Sequence, residues 1–292
     1  MKITGFTFIR NAVKNDYPIV EAISSILPLC DEFIIAHGNS EDETENLIRN
    51  INSPKIKVIN TVWDDAKKEG GRVFADETDK AFAAISPDTD WAFYIQGDEC
   101  LHEMYLPVVR KAMEEYLHNK NVEGLLFKYL HFYASYDFIA SSRRWYRNEI
   151  RVLKFNKDIH SYRDAQGFRK SGKKIRVKPI NAYIYHYGWV KPPKGLSNKV
   201  RNFNQFYINE PWAANEVPED YEFDYGNAHR LLKFEGTHPA VMTNRVSKCN
   251  WKFSVDPTTL KKKMSTRYRL LQRIEDLTGW RVGEYKNYKK LR

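Results

Sequence analysis

The sequence predicts an α/β protein with a mostly parallel central sheet that is flanked by helices. Strand-like and helix-like segments alternate over the first hundred residues, as in sheets whose parallel strands are joined by helical crossovers. The five apolar or aromatic residues from Trp91 to Ile95 have no polar face, which indicates a strand buried on both sides. The chain has 292 residues, of which 42% are hydrophobic and 14% aromatic, so it can form a sizeable core.

The first half of the chain supplies the alternating elements. β-branched and aromatic residues from Ile3 to Ile9 predict the first strand. Apolar residues at helical spacing predict a helix from Pro18 to Leu29, and proline suits its first turn. The next predicted elements are a strand at 31–36, a helix at 44–52, a strand at 56–63, a helix at 72–85 and the strand that begins at Trp91.

The second half is predicted to contain longer strands and then helices. The stretch from Lys191 to Gly195 contains two prolines and a glycine, so we expect a boundary between a domain at 1–190 and an extension at 191–292. Apolar residues at helical spacing predict a mainly helical extension, in which Gly279 is a typical helix stop. The predicted elements are a helix at 102–118, strands at 124–133, 150–155 and 182–189, and helices at 196–209 and 258–278.

Positive charge is concentrated in the last third of the chain. Residues 191–292 hold 20 Lys and Arg against 11 Asp and Glu, whereas residues 1–190 hold 27 against 26. A basic surface of this kind can bind an anionic membrane surface, an acidic glycan or nucleic acid, or it can simply be solvated. We do not expect nucleic acid, because the chain has neither an RNP-type aromatic signature nor zinc-finger spacing.

The sequence has the features of a cytoplasmic protein. The three cysteines are widely separated and lack metal-site spacing, which is typical of reduced thiols. No stretch approaches the roughly 18 uninterrupted apolar residues of a membrane span, and no apolar leader precedes the first strand. We therefore expect a cytoplasmic location, with the basic third as a candidate contact to the periphery of a membrane.

An acidic pair directly follows the buried strand that begins at Trp91. Gly97, Asp98 and Glu99 would stand at its carboxyl end, where open α/β sheets bind their ligands. Carboxylate oxygens suit Mg²⁺ or Mn²⁺, and such a cation could hold a diphosphate. A strand-ending turn with solvated acids is the alternative. Asp98 is the first candidate metal ligand.

Three motifs, in this order, resemble those of family-2 glycosyltransferases, whose fold is called GT-A. The first strand ends near Arg10, the second is followed by Asn39 to Thr44, and the later strand ends in Gln96 to Glu99. The family's second loop usually has the sequence Asp-Asp-Gly-Ser-x-Asp-Gly-Thr, and its central strand ends in Asp-x-Asp. This chain instead has His37 and Gly38 in place of the two aspartates and Gln96 in place of the first aspartate of the later motif. The resemblance covers roughly residues 1–190.

The resemblance implies an enzyme that transfers a hexosyl group in glycan biosynthesis, with inversion. The donor would be a nucleoside-diphosphate sugar, and the acceptor a hydroxyl of a glycan or lipid-linked glycan. Mn²⁺ or Mg²⁺ would neutralise the departing diphosphate. The implied donor-binding residues are Phe8, Arg10, His37, Asn39, Arg72, Thr78, Asp79, Gln96, Gly97 and Asp98.

His186 is the second candidate metal ligand. It lies in the aromatic run from Ala182 to Trp189. Neutral imidazole suits Mn²⁺, and several GT-A enzymes place a histidine from a late segment on the metal. The alternative is a histidine that is hydrogen-bonded within the core.

Asp164 is the expected catalytic base that takes the proton of the acceptor hydroxyl. It follows the metal-binding strand by several tens of residues, as the base does in the family, and it lies in a loop after the strand at 150–155. It could instead be a loop aspartate that pairs with a neighbouring arginine. Glu99, beside the metal position, is the second candidate base and Glu149 is the third.

The aromatic residues between 127 and 146 are a candidate platform for the acceptor, although plain core is the alternative. Two other functions stay open. Gln96 is a poorer metal ligand than a carboxylate, which favours a non-catalytic relative that binds a nucleotide sugar or a glycan. A nucleotidyltransferase is the other option, but the chain lacks a glycine-rich phosphate loop between Ile9 and Pro18.

Overall fold

The computed structural model describes most of the chain. The described residues are 1–64, 66–67, 69–207, 218, 220–228, 230–253, 260 and 264–291.

Helices and strands alternate in the first part of the protein. In chain order they are β1 (Ile3–Ile9), α1 (Ile19–Ile26), β2 (Glu32–Gly38), α2 (Thr44–Arg49), β3 (Ile56–Thr61), α3 (Arg72–Ala83), β4 (Trp91–Tyr94), β5 (Glu99–Leu101) and α4 (Leu106–Tyr116).

Strands dominate the middle of the chain, and helices follow them. These elements are β6 (Gly124–Tyr133), β7 (Ser135–Ala140), β8 (Asn148–Lys154), β9 (Ile159–Tyr162), β10 (Gly167–Lys170), β11 (Lys173–Lys174), β12 (Arg176–Trp189), α5 (Pro193–Asn204), β13 (Leu231–Lys233), α6 (Thr243–Ser247), α7 (Thr266–Thr278) and β14 (Lys289–Lys290).

One large sheet organises these elements, in the order β13-β7-β6-β8-β4-β1-β2-β3. Strands β3, β2, β1 and β4 run parallel to one another. Beyond β4 the sheet continues with β8, which is antiparallel to β4. Strand β12 lies off this path and pairs parallel with β6 and antiparallel with β5. The predicted α/β fold with flanking helices and a mostly parallel central sheet is therefore confirmed.

Period-2 alternation places apolar side chains on both faces of the sheet. In β1, Ile3 and Ile9 pack on the face that α1 covers, whereas Phe6 packs on the face that α3 covers. In β4, Phe93 packs on the face that α1 covers and Tyr94 on the face that α3 covers. Because each central strand is buried on both sides, its polar functional residues can lie only at its end.

The extension at 191–292 packs against the preceding part of the chain. Strand β14 pairs with the start of β12, and the side chain of Asn287 is buried against Gly167. Helix α7 ends at Gly279, which adopts the left-handed conformation as predicted. Most of the first part of the helix predicted at 258–278 lies outside the described residues, and the described helix begins at Thr266.

The described residues contain no helix that combines the length and the apolar character needed to cross a membrane.

Candidate functional site

A cavity of about 900 Å³ opens where the carboxyl ends of β1 and β4 meet α5. Cationic side chains outnumber acidic ones in its wall, which favours an anionic ligand. The charged lining residues are Arg10, Lys14, Arg144, Arg151 and Lys199 against Glu41, Asp98 and Asp164. Of the predicted site residues, those that line the cavity are Phe8, Arg10, Gln96, Gly97, Asp98, Asp164 and His186.

Asp98 lies at the centre of a charged cluster in this cavity. Its Oδ2 atom is 3.1 Å from Nζ of Lys199 and 3.6 Å from Nε2 of His186. Lys199 also donates a hydrogen bond of 2.8 Å to the carbonyl oxygen of Gly188. The structure thus brings the two predicted metal ligands together, and adds a lysine that the sequence did not indicate.

The charges of this cluster are mutually stabilised. Burial alone would raise the pKa of Asp98, but the charges of Lys199 and then His186 bring that pKa well below its usual value. Burial opposes the charge of Lys199, yet Asp98 raises the pKa of the lysine above its usual value. Asp98 is therefore a carboxylate and Lys199 an ammonium group at neutral pH.

Hydrogen bonds select the tautomer of His186. Burial holds the pKa of His131 well below its usual value, so this second imidazole is neutral. Its Nε2 atom lies 2.7 Å from the carbonyl oxygen of Tyr146 and must donate to it. Its Nδ1 atom therefore accepts from Nδ1 of His186, at 3.1 Å. The proton on Nδ1 leaves Nε2 of His186, which faces Asp98, as the nitrogen that carries a lone pair in the neutral ring.

Gly188 allows these groups to converge. A Cβ atom at this position would lie 2.4 Å from Oδ2 of Asp98 and 2.9 Å from both Nε2 of His186 and Nζ of Lys199. No side chain can replace glycine here without moving the cluster.

Asp164 lines the cavity from the turn between β9 and β10. Its Oδ2 atom accepts a hydrogen bond of 3.0 Å from the hydroxyl of Tyr207. Arg163 and Ala165 flank it with positive φ angles of 59° and 61°, a costly conformation for residues with a side chain. Burial raises the pKa of Asp164, and the bond from Tyr207 opposes part of that shift. Gln96 donates to the carbonyl oxygen of Ala165, at 3.3 Å, and so ties this turn to the end of β4.

Glu99 and Glu149, the second and third candidate bases, do not line the cavity. Both oxygens of Glu99 accept from Arg151 at 2.7 Å, and Tyr129 donates to one of them. Glu99 is therefore fully buried in an ion pair and cannot contact an acceptor in the cavity. Glu149 is likewise buried in β8, outside the cavity wall.

Aromatic rings form the wall beside the end of β1. Phe8 lies 5.9 Å from Trp63 and 6.0 Å from Phe74, ring centre to ring centre, and the guanidinium group of Arg10 lies over the Trp63 ring at 5.5 Å. The indole nitrogen of Trp63 is buried and has no hydrogen-bond partner among the described residues. A Cβ at Gly38 would lie 2.3 Å from this nitrogen, so Trp63 occupies the space beside a position where the family has an aspartate.

Five predicted donor-binding residues do not line the cavity, and for four of them the hydrogen bonds explain why. His37 bonds to Ser40 and Asn60, and Asn39 accepts from the backbone of Trp63. Thr78 donates to the carbonyl oxygen of Phe74 within α3, and Asp79 accepts from the backbone of Ser161. The remaining residue, Arg72, is exposed at the start of α3. These side chains stabilise loops and helices around the site, and the sequence motif alone could not distinguish that role from ligand contact.

Another part of the cavity wall is formed by the segment between β7 and β8. Arg144, Trp145 and Tyr146 line it, together with Trp189 at the end of β12. The Trp145 and Trp189 rings meet edge to face at 5.6 Å. Part of the predicted aromatic platform therefore faces the cavity.

Sequence reasoning missed Lys199, His131, Gly188 and Trp63. Lys199 lies in α5, beyond the predicted domain boundary, and only the tertiary fold brings it to Asp98. His131 and Gly188 belong to β6 and β12, and the aromatic patterns of these strands gave neither residue a role. The one available signal was the spacing of His186 and Gly188, which places both side-chain positions on one face of β12.

Comparison with protein-family models gives no match, and comparison with the sequences of curated proteins gives none either. Among solved structures, the chain is similar to S. aureus TarS, with 14% identity and a TM-score of 0.42, over 72% of this chain and 40% of that one. TarS 1–349 in complex with UDP is similar at 13% identity and a TM-score of 0.40, over 72% of this chain and 67% of that one. Glucosyl-3-phosphoglycerate synthase from Mycobacterium tuberculosis, solved with Mn²⁺, UDP and phosphoglyceric acid, is similar at 20% identity and a TM-score of 0.30, over 44% and 43% of the two chains. The chain thus matches less than half the length of the first and last of these proteins.

Proposed function

We propose that the protein is a glycosyltransferase that uses a nucleoside-diphosphate sugar and transfers the sugar, with inversion, to a hydroxyl of a glycan or lipid-linked glycan. The observation that carries the proposal is the convergence of Asp98, His186 and Lys199 at one end of a cavity whose wall also holds Asp164. One end of the cavity thus has charges suited to a diphosphate, and Asp164 supplies a carboxylate suited to proton transfer.

The charged cluster fits a divalent cation that is shared with the substrate. Asp98 supplies a carboxylate oxygen and His186 an imidazole nitrogen, a donor set that suits Mn²⁺. The described residues contain no group of three or more potential metal ligands, so the diphosphate and water would complete the coordination. The cation would stabilise the negative charge of the leaving diphosphate. Lys199 would bind the same phosphates as a second, permanent cation.

The aromatic wall suits the nucleoside of the donor. Phe8, Trp63 and Phe74 offer ring faces, and Arg10 offers a cation beside them. Arg144, Trp145 and Tyr146, in the part of the wall between β7 and β8, are suited to the acceptor.

The first test measures binding of the donor. Thermal unfolding with UDP-, GDP-, CMP- and dTDP-sugars, with and without Mn²⁺, identifies the nucleotide, because a ligand at a hundredfold excess over its Kd stabilises the native protein by about 2.7 kcal/mol. We expect Asp98→Asn to weaken binding in the presence of Mn²⁺ by about tenfold or more, since it removes a ligand charge. Asp158→Asn, an exposed loop residue away from the cavity wall, is the matched control.

The outcome separates two functions and can refute the site. Transfer or hydrolysis of a sugar nucleotide that is lost in Asp98→Asn supports the glycosyltransferase. Binding without turnover would show a non-catalytic relative. Equal affinity for donor in the wild type and Asp98→Asn would refute the site.

The second test concerns the base. In Asp164→Asn, we expect the rate of transfer to fall by about a hundredfold or more, because an amide cannot accept the hydroxyl proton. Donor affinity should stay within about twofold, since the amide oxygen still accepts from Tyr207. A rate equal to that of Asp158→Asn would exclude Asp164 as the base.

A further inference from the structure

The outer face of α7 and the segment after it form an exposed apolar surface. We call this surface the α7 ridge and define it by Leu270, Leu277, Trp280 and Tyr285. These side chains are 60%, 86%, 66% and 55% exposed. Large apolar residues at such exposure are ordinary when scattered, but a group of them on one short segment marks an interaction surface.

Helix α7 exposes two leucines, while two of its polar residues face the protein. Leu270 and Leu277 lie seven residues apart and so share the outer face. Gln272 is buried, and its side chain accepts from the backbone of Arg143. Glu275, also on the inner face, is bound to Arg143 and Arg281. A helix that packs its whole apolar stripe on a core would not leave these two leucines in water.

Basic side chains flank the ridge, and the acids near it are neutralised. The exposed cations on α7 are Arg267, Arg269 and Arg273, and those of the following segment are Lys286, Lys289 and Lys290. None of these six side chains has an ion pair among the described residues. By contrast, Asp276 receives two hydrogen bonds from Arg230, and Glu284 receives two from Arg147. The surface therefore combines exposed apolar groups with uncompensated positive charge.

We propose that the α7 ridge docks the protein on an anionic membrane surface. An in-plane amphipathic helix has this arrangement, with leucine and tryptophan entering the boundary of the acyl chains while arginines meet lipid phosphates. Nucleic acid would account for the cations but leave the leucines in water. A second copy of this chain would bring like charges together, because the ridge is basic along its whole length.

The inner face of α7 connects the ridge to the cavity. Arg143 bonds to α7 through its backbone and its guanidinium group, and Arg281 donates to the carbonyl oxygen of Trp145. Trp145 lines the end of the cavity assigned to the acceptor. Docking would therefore hold the acceptor end close to the membrane, where a lipid-linked acceptor resides. This last step rests on the proposed function, whereas docking itself does not.

Sedimentation with lipid vesicles tests the proposal on the full chain. We expect at least about tenfold tighter binding to phosphatidylcholine vesicles that contain phosphatidylglycerol than to phosphatidylcholine alone, with the difference reduced by high salt. Arg269→Gln/Arg273→Gln should lower the affinity for anionic vesicles, and Leu277→Ser/Trp280→Ser should lower it at every salt concentration. Arg110→Gln/Lys111→Gln, which removes two exposed cations of α4, is the charge-matched control.

Three results would each overturn the proposal. The first is equal sedimentation with neutral and anionic vesicles, and the second is equal binding by the ridge variants and the α4 control. The third is a wild-type dimer in light scattering that becomes a monomer in Leu277→Ser/Trp280→Ser, while neither protein binds vesicles. Nucleotide-dependent thermal shifts, measured on the same variants, report on the donor site separately, so failure of docking and failure of the proposed function are distinguishable.

Discussion

Glu149 is a buried acid whose carboxyl group has one oxygen without a partner among the described residues. Burial, and then the nearby charge of Glu99, raise its pKa from 4.5 to about 8, although Arg151 acts in the opposite direction. Between these two pH values the unfolded chain binds fewer protons at this residue than the folded one. Its contribution to the free energy of unfolding is therefore fully present below pH 4.5 and declines as the pH rises towards 8.

We predict that Glu149→Gln removes this decline, because a glutamine has no proton to lose. We compare the free energy of unfolding of the variant with that of the wild type at each pH. The variant minus wild-type difference should be about 1–3 kcal/mol larger at pH 8 than at pH 5. Urea unfolding at the two pH values measures the difference. The exposed Glu114→Gln on α4 serves as the control, and an equal pH dependence in both variants would contradict the prediction.

At the scale of elements, β12 carries the site. Its middle pairs with both β5 and β6, and its end places His186 and Gly188 against Asp98. The resemblance to known motifs predicted the contribution of His186. The close approach of Asp98 and Lys199 to Gly188 could not be predicted. Asp98 lies about ninety residues away in sequence, and Lys199 lies on the following helix.

Gly188→Ala should disturb this arrangement without altering any charge. The added methyl group would overlap Oδ2 of Asp98, so we expect donor affinity in the presence of Mn²⁺ to fall by about tenfold or more and stability to fall by about 1–3 kcal/mol. Gly195→Ala in α5, where a Cβ meets nothing closer than 3.3 Å, is the matched control. Calorimetric titration with the nucleotide identified by thermal shift measures the effect, and unchanged affinity in Gly188→Ala would argue against the cluster as the phosphate site.

At the scale of the molecule, local pattern predicted much more of the fold than of the site. The alternation of elements over residues 1–116 and the burial of β4 follow from periodicity and turn residues, and both appear in the structure. Periodicity contains no information on which distant strands pair, so the insertion of β12 beside β5 was not predictable. Lys199 illustrates the consequence, since its role depends on a contact across 101 residues of sequence.

The pairing of β5 with β12 also sets the distance between Asp98 and His186. His186 lies opposite Glu99 in this antiparallel ladder, and the backbone N–H of Tyr187 donates to the carbonyl oxygen of Asp98 at 2.8 Å. A slip of one residue would turn His186 to the other side of the sheet. The spacing of the two residues' backbones is consequently fixed by the main chain. Carboxylate and imidazole stay within reach of each other for as long as the two strands remain paired, so their proximity is as durable as that edge of the sheet.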